Sequence, residues 1–351
     1  MFKNQEQNKE QNKEYFSNRI AFLLALIGSA VGLGNIWRVS YLFSYFGSDF
    51  FVSYLIFAFV IGLPLVFLEL KLSEKYRLNV KGIYSLLSEK LKIPFFKHLY
   101  LIPFLALFII SIYYSIVVSE VFNNIVDISF FSVILVWLIS LYAVIKGIRI
   151  LETVNNFLMF LLFCMLLFLL LTVEKIPNLL NFPSNNFFEA IKQGFAHTMF
   201  SLSVGTGLLY TYAIYSRKQK AFQNSLIVAF FDTLIALISL LVIFSIDVKP
   251  DVFLAFENIK KKFIEIDKPL LSYVFFIALF SAGLTSLIAI LKFLLDNSNE
   301  KTLFLAFLLS FFAYFLPKYI IEFADSVIAT TLLILSFPLT IFTFSYLIFK
   351  K

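Results

Sequence analysis

The chain has 351 residues, 60% hydrophobic and 15% charged, with 47 phenylalanines and a formal net charge of +7. Soluble domains carry about 25% charged residues, so the polar surface here is too small to cover a water-soluble enzyme. With 11 Gly, 9 Pro and one cysteine, the chain is neither collagen-like nor a disulfide scaffold; it reads as an all-α polytopic membrane protein.

Residues 1–18 are polar, carry Glu6, Glu10 and Glu14, and read as a flexible tail and not as a signal peptide. A single transmembrane domain is expected over 19–351. A span needs about 20 mostly apolar residues. Such runs fall at 20–45, 50–74, 95–122, 130–146, 150–173, 188–215, 222–246, 270–295, 302–317 and 322–348. The fourth is short and the ninth only just long enough. Cys164 lies inside an apolar run, so no intrachain disulfide is possible. The segment 247–268 mixes lysines with acids and is long enough for a short surface helix over the mouth of a pocket.

Ten spans put both termini on one side. Twenty Lys and Arg fall on that side and eight on the other, with Arg38 inside the first span. The excess predicts cytoplasmic termini and a multi-pass protein of the cell membrane. The positive charge then belongs to topology in a lipid bilayer, and no nucleic acid is called for.

Two spans carry breaks. The first reads Gly28-Ser-Ala-Val-Gly32-Leu-Gly34-Asn-Ile-Trp-Arg38, three glycines in seven residues and then a polar and a charged residue. The sixth reads His197-Thr-Met-Phe-Ser-Leu-Ser-Val-Gly205-Thr-Gly207. Close helix packing through small residues is one explanation. Interrupted helices at matching positions of two five-span halves, about 19–173 and 188–348, point instead to a binding site at mid-membrane.

The stretch Arg19 to Arg38 resembles the first helix of the neurotransmitter:sodium symporter family. Tyr113-Tyr114 in the third span, Ser201 to Gly207 followed by Thr211-Tyr-Ala-Ile-Tyr215 in the sixth, and Ala282-Gly-Leu-Thr-Ser286 in the eighth agree in order. The resemblance implies a LeuT-like 5+5 inverted repeat, shortened to the ten-helix core where many members have twelve helices. It implies sodium-coupled symport of a small, neutral amino acid by alternating access, with spans one, two, six and seven rocking against the rest.

The resemblance also implies residue roles. One sodium site would use Gly28, Val31, Ala282, Thr285 and Ser286. A second would use Ala30, Asn35, Ser201 and Asp232. Back-bonding of Thr285 and Ser286 to their own helix is the competing reading. The substrate would lie among Ala30, Gly32, Gly34, Ile110, Tyr114, Phe200, Ser203, Thr206 and Ile290. Amine-transporting relatives carry an Asp where this chain has Gly32, so the substrate should bring its own carboxylate, with Tyr114 donating to it. Chloride-dependent relatives carry a Ser where this chain has Ala236, so a complete chloride site is not expected; Tyr54 and His197 fall near its place. Arg38 and Asp325 would form an outer gate, and Phe16 and Tyr215 an inner one with Lys13, while Asp296 is out of the expected register. Glu69 should bond the unwound backbone of span six.

Two other function classes stand beside this reading. A relative that binds sodium or an amino acid as a sensor or partner subunit without transport stays open, as does the oligomeric state. A membrane enzyme has little equipment, with two His, one Cys and no motif such as H-E-x-x-H.

Overall fold

The computed structural model describes residues 14–174, 177–182, 184, 186–217, 220–246, 255–324 and 330–349. All regular structure among them is helical, and each of the ten expected spans coincides with helix. Span one consists of Arg19–Ala30 and, after a break, Gly34–Arg38 running into Val39–Phe57. The chain turns at Gly47, whose φ of 59° and ψ of −153° suit only glycine. Span two starts there and ends with Leu63–Tyr76.

Spans three, five, seven and eight are Leu101–Asn123, Ile148–Leu171, Ala221–Ser245 and Pro269–Asn297. At about 1.5 Å per residue each exceeds a hydrocarbon core of roughly 30 Å. Among the described residues, helical stretches at 34–76, 94–123, 148–171, 221–245 and 269–297 are each long and apolar enough to cross a membrane. Spans four and nine are the shorter helices Phe131–Ile145 and Glu300–Ala313. Span six is broken into Phe187–Ser201 and Leu208–Ala213, and span ten comprises Lys318–Phe323 and Thr330–Phe349. Each half holds five spans. An odd number turns the second half upside down in the membrane, which makes the LeuT-like inverted repeat.

The expected surface helix is Ala255–Glu265, seated on span one through Phe256 and Trp37, ring centroids 5.9 Å apart. A further helix, Val80–Leu91, lies between spans two and three. Its lysines obscure an apolar face of Val80, Ile83, Tyr84 and Leu87, all buried at helical spacing.

Many serine hydroxyls inside the bundle are satisfied locally. Ser111, Ser115, Ser119, Ser140, Ser239 and Ser310 each donate to a carbonyl three or four residues earlier, as a medium without water requires. Glycine brings the broken helix close to its neighbours. A Cβ on Gly28 would lie 3.1 Å from Met159 and 3.2 Å from Thr285, and one on Gly283 would lie 2.8 Å from Val118.

Residues 14–18, expected to belong to the flexible tail, pack on the bundle instead. Phe16 is buried against Phe22 and Tyr212, and its N–H donates to the Tyr215 carbonyl at 3.1 Å. Asn18 caps the first helix by accepting from the Ala21 N–H at 2.9 Å.

Candidate functional site

The two breaks face each other. In span one, Val31 turns extended, with ψ of 110°, and the helix resumes at Gly34. In span six, Ser203, Gly205 and Gly207 all take positive φ, of 52°, 84° and 79°. Two of these positions suit glycine, and the run cannot continue a right-handed helix. Glu69 of span two holds the unwound strand: its carboxylate accepts from the Gly205 N–H at 2.9 Å and the Tyr210 N–H at 3.2 Å.

The structure brings Ala30, Gly32, Gly34, Ile110, Tyr114, Phe200, Ser203, Thr206 and Ile290 to one cavity, together with Ser29, Leu107, Met199, Ser201, Leu208 and Ser286. Its floor is backbone and hydroxyl and its walls are apolar. The Tyr114 hydroxyl accepts from the Leu33 N–H at 2.9 Å, which leaves its own proton to donate. A Cβ on Gly32 would lie 2.5 Å from both the Tyr114 hydroxyl and Ser286 Oγ. Only glycine lets those two oxygens close on the break. Thr206 donates to the Ser203 carbonyl at 2.8 Å, so its hydroxyl shapes the turn as well as facing the cavity.

On one flank, Ser286 Oγ of span eight lies 3.2 Å from both the Gly28 and the Val31 carbonyls. Thr285 instead donates to the Ala282 carbonyl of its own helix at 2.9 Å. The structure thus carries a helix-crossing contact at Ser286 and a local one at Thr285. On the other flank, the Asp232 carboxylate accepts from Asn35 Nδ2 at 2.6 Å, Ser201 Oγ at 2.8 Å and the Tyr54 hydroxyl at 2.7 Å. Asn35 Oδ1 in turn accepts from the Gly32 N–H at 3.0 Å, tying the acid to the break. Both flanks present oxygen: carbonyls, hydroxyls, an amide and one carboxylate. That is the donor chemistry of a hard monovalent or divalent cation.

His197 is buried beside Tyr54 and Phe50, ring centroids 4.9 and 5.5 Å away, and neither ring nitrogen has a hydrogen-bond partner among the described residues. Ala236 is buried in span seven. Arg38 is buried with its guanidinium carbon 4.4 Å from the centre of the Phe200 ring, at the edge of the cavity. Asp325 and Lys13 lie outside the described residues.

At the other end of span six, the Tyr215 hydroxyl donates to Asp296 Oδ2 at 2.9 Å, and Lys292 Nζ donates to Asp296 Oδ1 at 2.7 Å and to the Tyr215 oxygen at 3.1 Å. Asp296 therefore does meet Tyr215, despite its register. Lys292 is the member that sequence reasoning missed. Its i,i+4 spacing to Asp296 on an apolar helix is the signal that would have found it.

Residues 13–130 match the family model described as the sodium:neurotransmitter symporter family. The chain is 40% identical over 77 residues to the sodium-dependent neutral amino acid transporter B(0)AT2 of Pongo abelii; this stretch is 22% of the chain and 10% of that protein. It is 34% identical over 103 residues to the human sodium- and chloride-dependent transporter XTRP3, covering 29% of the chain and 17% of the relative. The matching stretches thus span less than a fifth of either curated relative. The crystal structure of MhsT in complex with L-phenylalanine superposes with a TM-score of 0.74 at 24% identity, covering 94% of this chain and 89% of that one. In sequence the likeness to the sodium:neurotransmitter symporter family is carried by residues 13–130, while the likeness in fold to MhsT extends over 94% of the chain.

Proposed function

We propose that this protein is a sodium-coupled symporter of a small, neutral amino acid that works by alternating access. The observation that carries the reading is the cavity between the two broken helices, flanked on both sides by oxygen clusters that include the break itself. One sodium ion would sit among Gly28, Val31, Ala282, Thr285 and Ser286. The other would sit among Ala30, Asn35, Ser201 and Asp232, where the Asp232 charge serves in place of chloride. Each cation would clamp span one to its neighbour, to span eight in the first case and to spans six and seven in the second. Sodium binding then favours the closed break against which the substrate docks.

The substrate carboxylate would meet Tyr114 and the N–H groups exposed at the span-one break. Its side chain would contact Ile110, Phe200 and Ile290, with Ser203 and Thr206 setting the shape of the pocket. The absence of an acid at Gly32 favours a zwitterion over a decarboxylated amine. The names of the relatives, a neutral amino acid transporter and a protein solved with L-phenylalanine, support the substrate class. Arg38 with Asp325 would close the outer side. Phe16 and Tyr215 would close the inner one, with both termini cytoplasmic in the cell membrane.

The test is uptake of a labelled amino-acid panel into proteoliposomes under an inward sodium gradient. Uptake that follows sodium supports the reading. Sodium-dependent binding without uptake would favour a sensor or partner subunit.

A further inference from the structure

At the cytoplasmic end, spans one and five meet through residues that the proposed site does not use. The first turn of Ile148–Leu171 has no capping side chain of its own, because Gly147 precedes it with φ of 94°. The cap comes from elsewhere: Glu14 Oε2 accepts from the Ile148 N–H at 2.7 Å. A carboxylate there answers both an unpaired N–H and the positive end of the helix. A Cβ on Gly147 would collide with that carboxylate, so the glycine leaves the space into which Glu14 fits. Three residues on, the Ser17 N–H donates to Glu152 Oε2 at 2.8 Å and the Ser17 hydroxyl donates to Glu152 Oε1. Glu152 lies in the second turn of the same helix and is buried.

The other bonds of this segment stay inside the bundle assigned to rock. Phe16 bonds the span-six carbonyl of Tyr215, and Arg19 donates to Gln223 and Asn224 of span seven, both at 3.1 Å. Among the described residues, the hydrogen bonds of residues 14–19 that cross to the scaffold are those of Glu14 and Ser17.

We propose that Glu14 and Ser17, received by the first two turns of span five, form a cytoplasmic latch that holds the inner half of span one shut and sets the balance between closed and cytoplasm-open forms. This rests on the alternating-access reading above. The latch is reversible for a physical reason. When span one swings out, both carboxylates and the Ile148 N–H face water, so no buried charge is stranded. Losing one charge-assisted cap of this kind shifts such a balance by about tenfold.

The experiment uses the full-length protein with Cys164→Ser and a reporter, Met159→Cys. Met159 is buried on span five against Gly28 of span one, and is uncovered when the two part. Labelling by N-ethylmaleimide is timed with and without sodium. Glu14→Ala should speed labelling about tenfold, and Ser17→Ala and Glu152→Gln severalfold. Ser17→Ala and Glu152→Ala should be non-additive, because the hydroxyl bond that Ser17→Ala removes is one of the two that Glu152→Ala removes. A second reporter, Phe256→Cys on the outer helix, should label no faster in any of these variants.

Unchanged Met159→Cys labelling in monodisperse variants overturns the latch, and so does a rise at both reporters, which marks general loosening. The sodium arm separates this failure from failure of the symporter reading. Labelling slowed by sodium in the parent but unmoved by the variants keeps symport and removes the latch. Labelling indifferent to sodium but accelerated by the variants keeps the latch and removes sodium coupling.

Discussion

Asp232→Asn tests the second cation site most directly. The acid is fully buried and holds three donors, Asn35, Ser201 and Tyr54, at 2.6–2.8 Å. The amide replaces one carboxylate oxygen by a donor; placed toward Tyr54 it reverses that bond, the phenol oxygen accepting, while Oδ1 keeps Asn35 and Ser201. Its larger effect falls on sodium. A unit charge about 4 Å from a cation contributes about 4 kcal/mol at an effective dielectric near 20. Burying that charge offsets roughly half of this, which leaves about 2 kcal/mol, or some thirtyfold in the sodium concentration required. We expect Asp232→Asn to raise half-saturating sodium by roughly ten- to a hundredfold, with the fold retained. Added chloride should not restore it, because Ala236 brings no hydroxyl. The assay compares initial uptake by parent and variant across a sodium series, with chloride or gluconate as the anion. Unchanged sodium dependence in a monodisperse variant would refute the role of Asp232. A large loss in the parent when gluconate replaces chloride would refute its role as the resident negative charge, and would point to Tyr54, His197 and Ser201 as an anion site.

Further outcomes are expected at the other flanks of the cavity. Ser286→Val should raise the sodium requirement more than Thr285→Ala, because Ser286 alone of the two reaches across to Gly28 and Val31; equal effects in sodium titrations would contradict the helix-crossing assignment. Gly32→Ala should abolish amino-acid binding while leaving a folded protein, since its methyl group meets Tyr114 and Ser286 at 2.5 Å; retained affinity in equilibrium dialysis would show that the break is not where the carboxylate docks. Glu69→Gln keeps one acceptor for two backbone donors and should cost about 1–3 kcal/mol of stability, read as a lower thermal midpoint in detergent. Arg38→Ala and Asp325→Ala should be non-additive in a double-mutant cycle on substrate affinity; additive effects would separate the two residues.

Composition and hydropathy determined the class, the ten spans and the position of the surface helix, because a bilayer imposes its thickness on every crossing segment. The two breaks were also legible, since glycine and polar residues in an apolar run act through the local backbone. The residues named around those breaks came from motif resemblance; those named for the substrate line one cavity, which Ser286 and Ser201 join to the two oxygen clusters. Partnerships between distant segments were not legible. Whether Thr285 or Ser286 crosses to span one depends on how span eight is rotated against it, since the two side chains point about 100° apart on one helix. The meeting of Lys292, Asp296 and Tyr215 depends on the same rotation and on where span six resumes after its break. Val80–Leu91 was hidden because its polar face is as long as its apolar one. Glu14 and Glu152 were invisible as partners of Ile148 and Ser17, at separations of 134 and 135 residues, because a helix N-terminus accepts any acid that the packing of the bundle delivers to it.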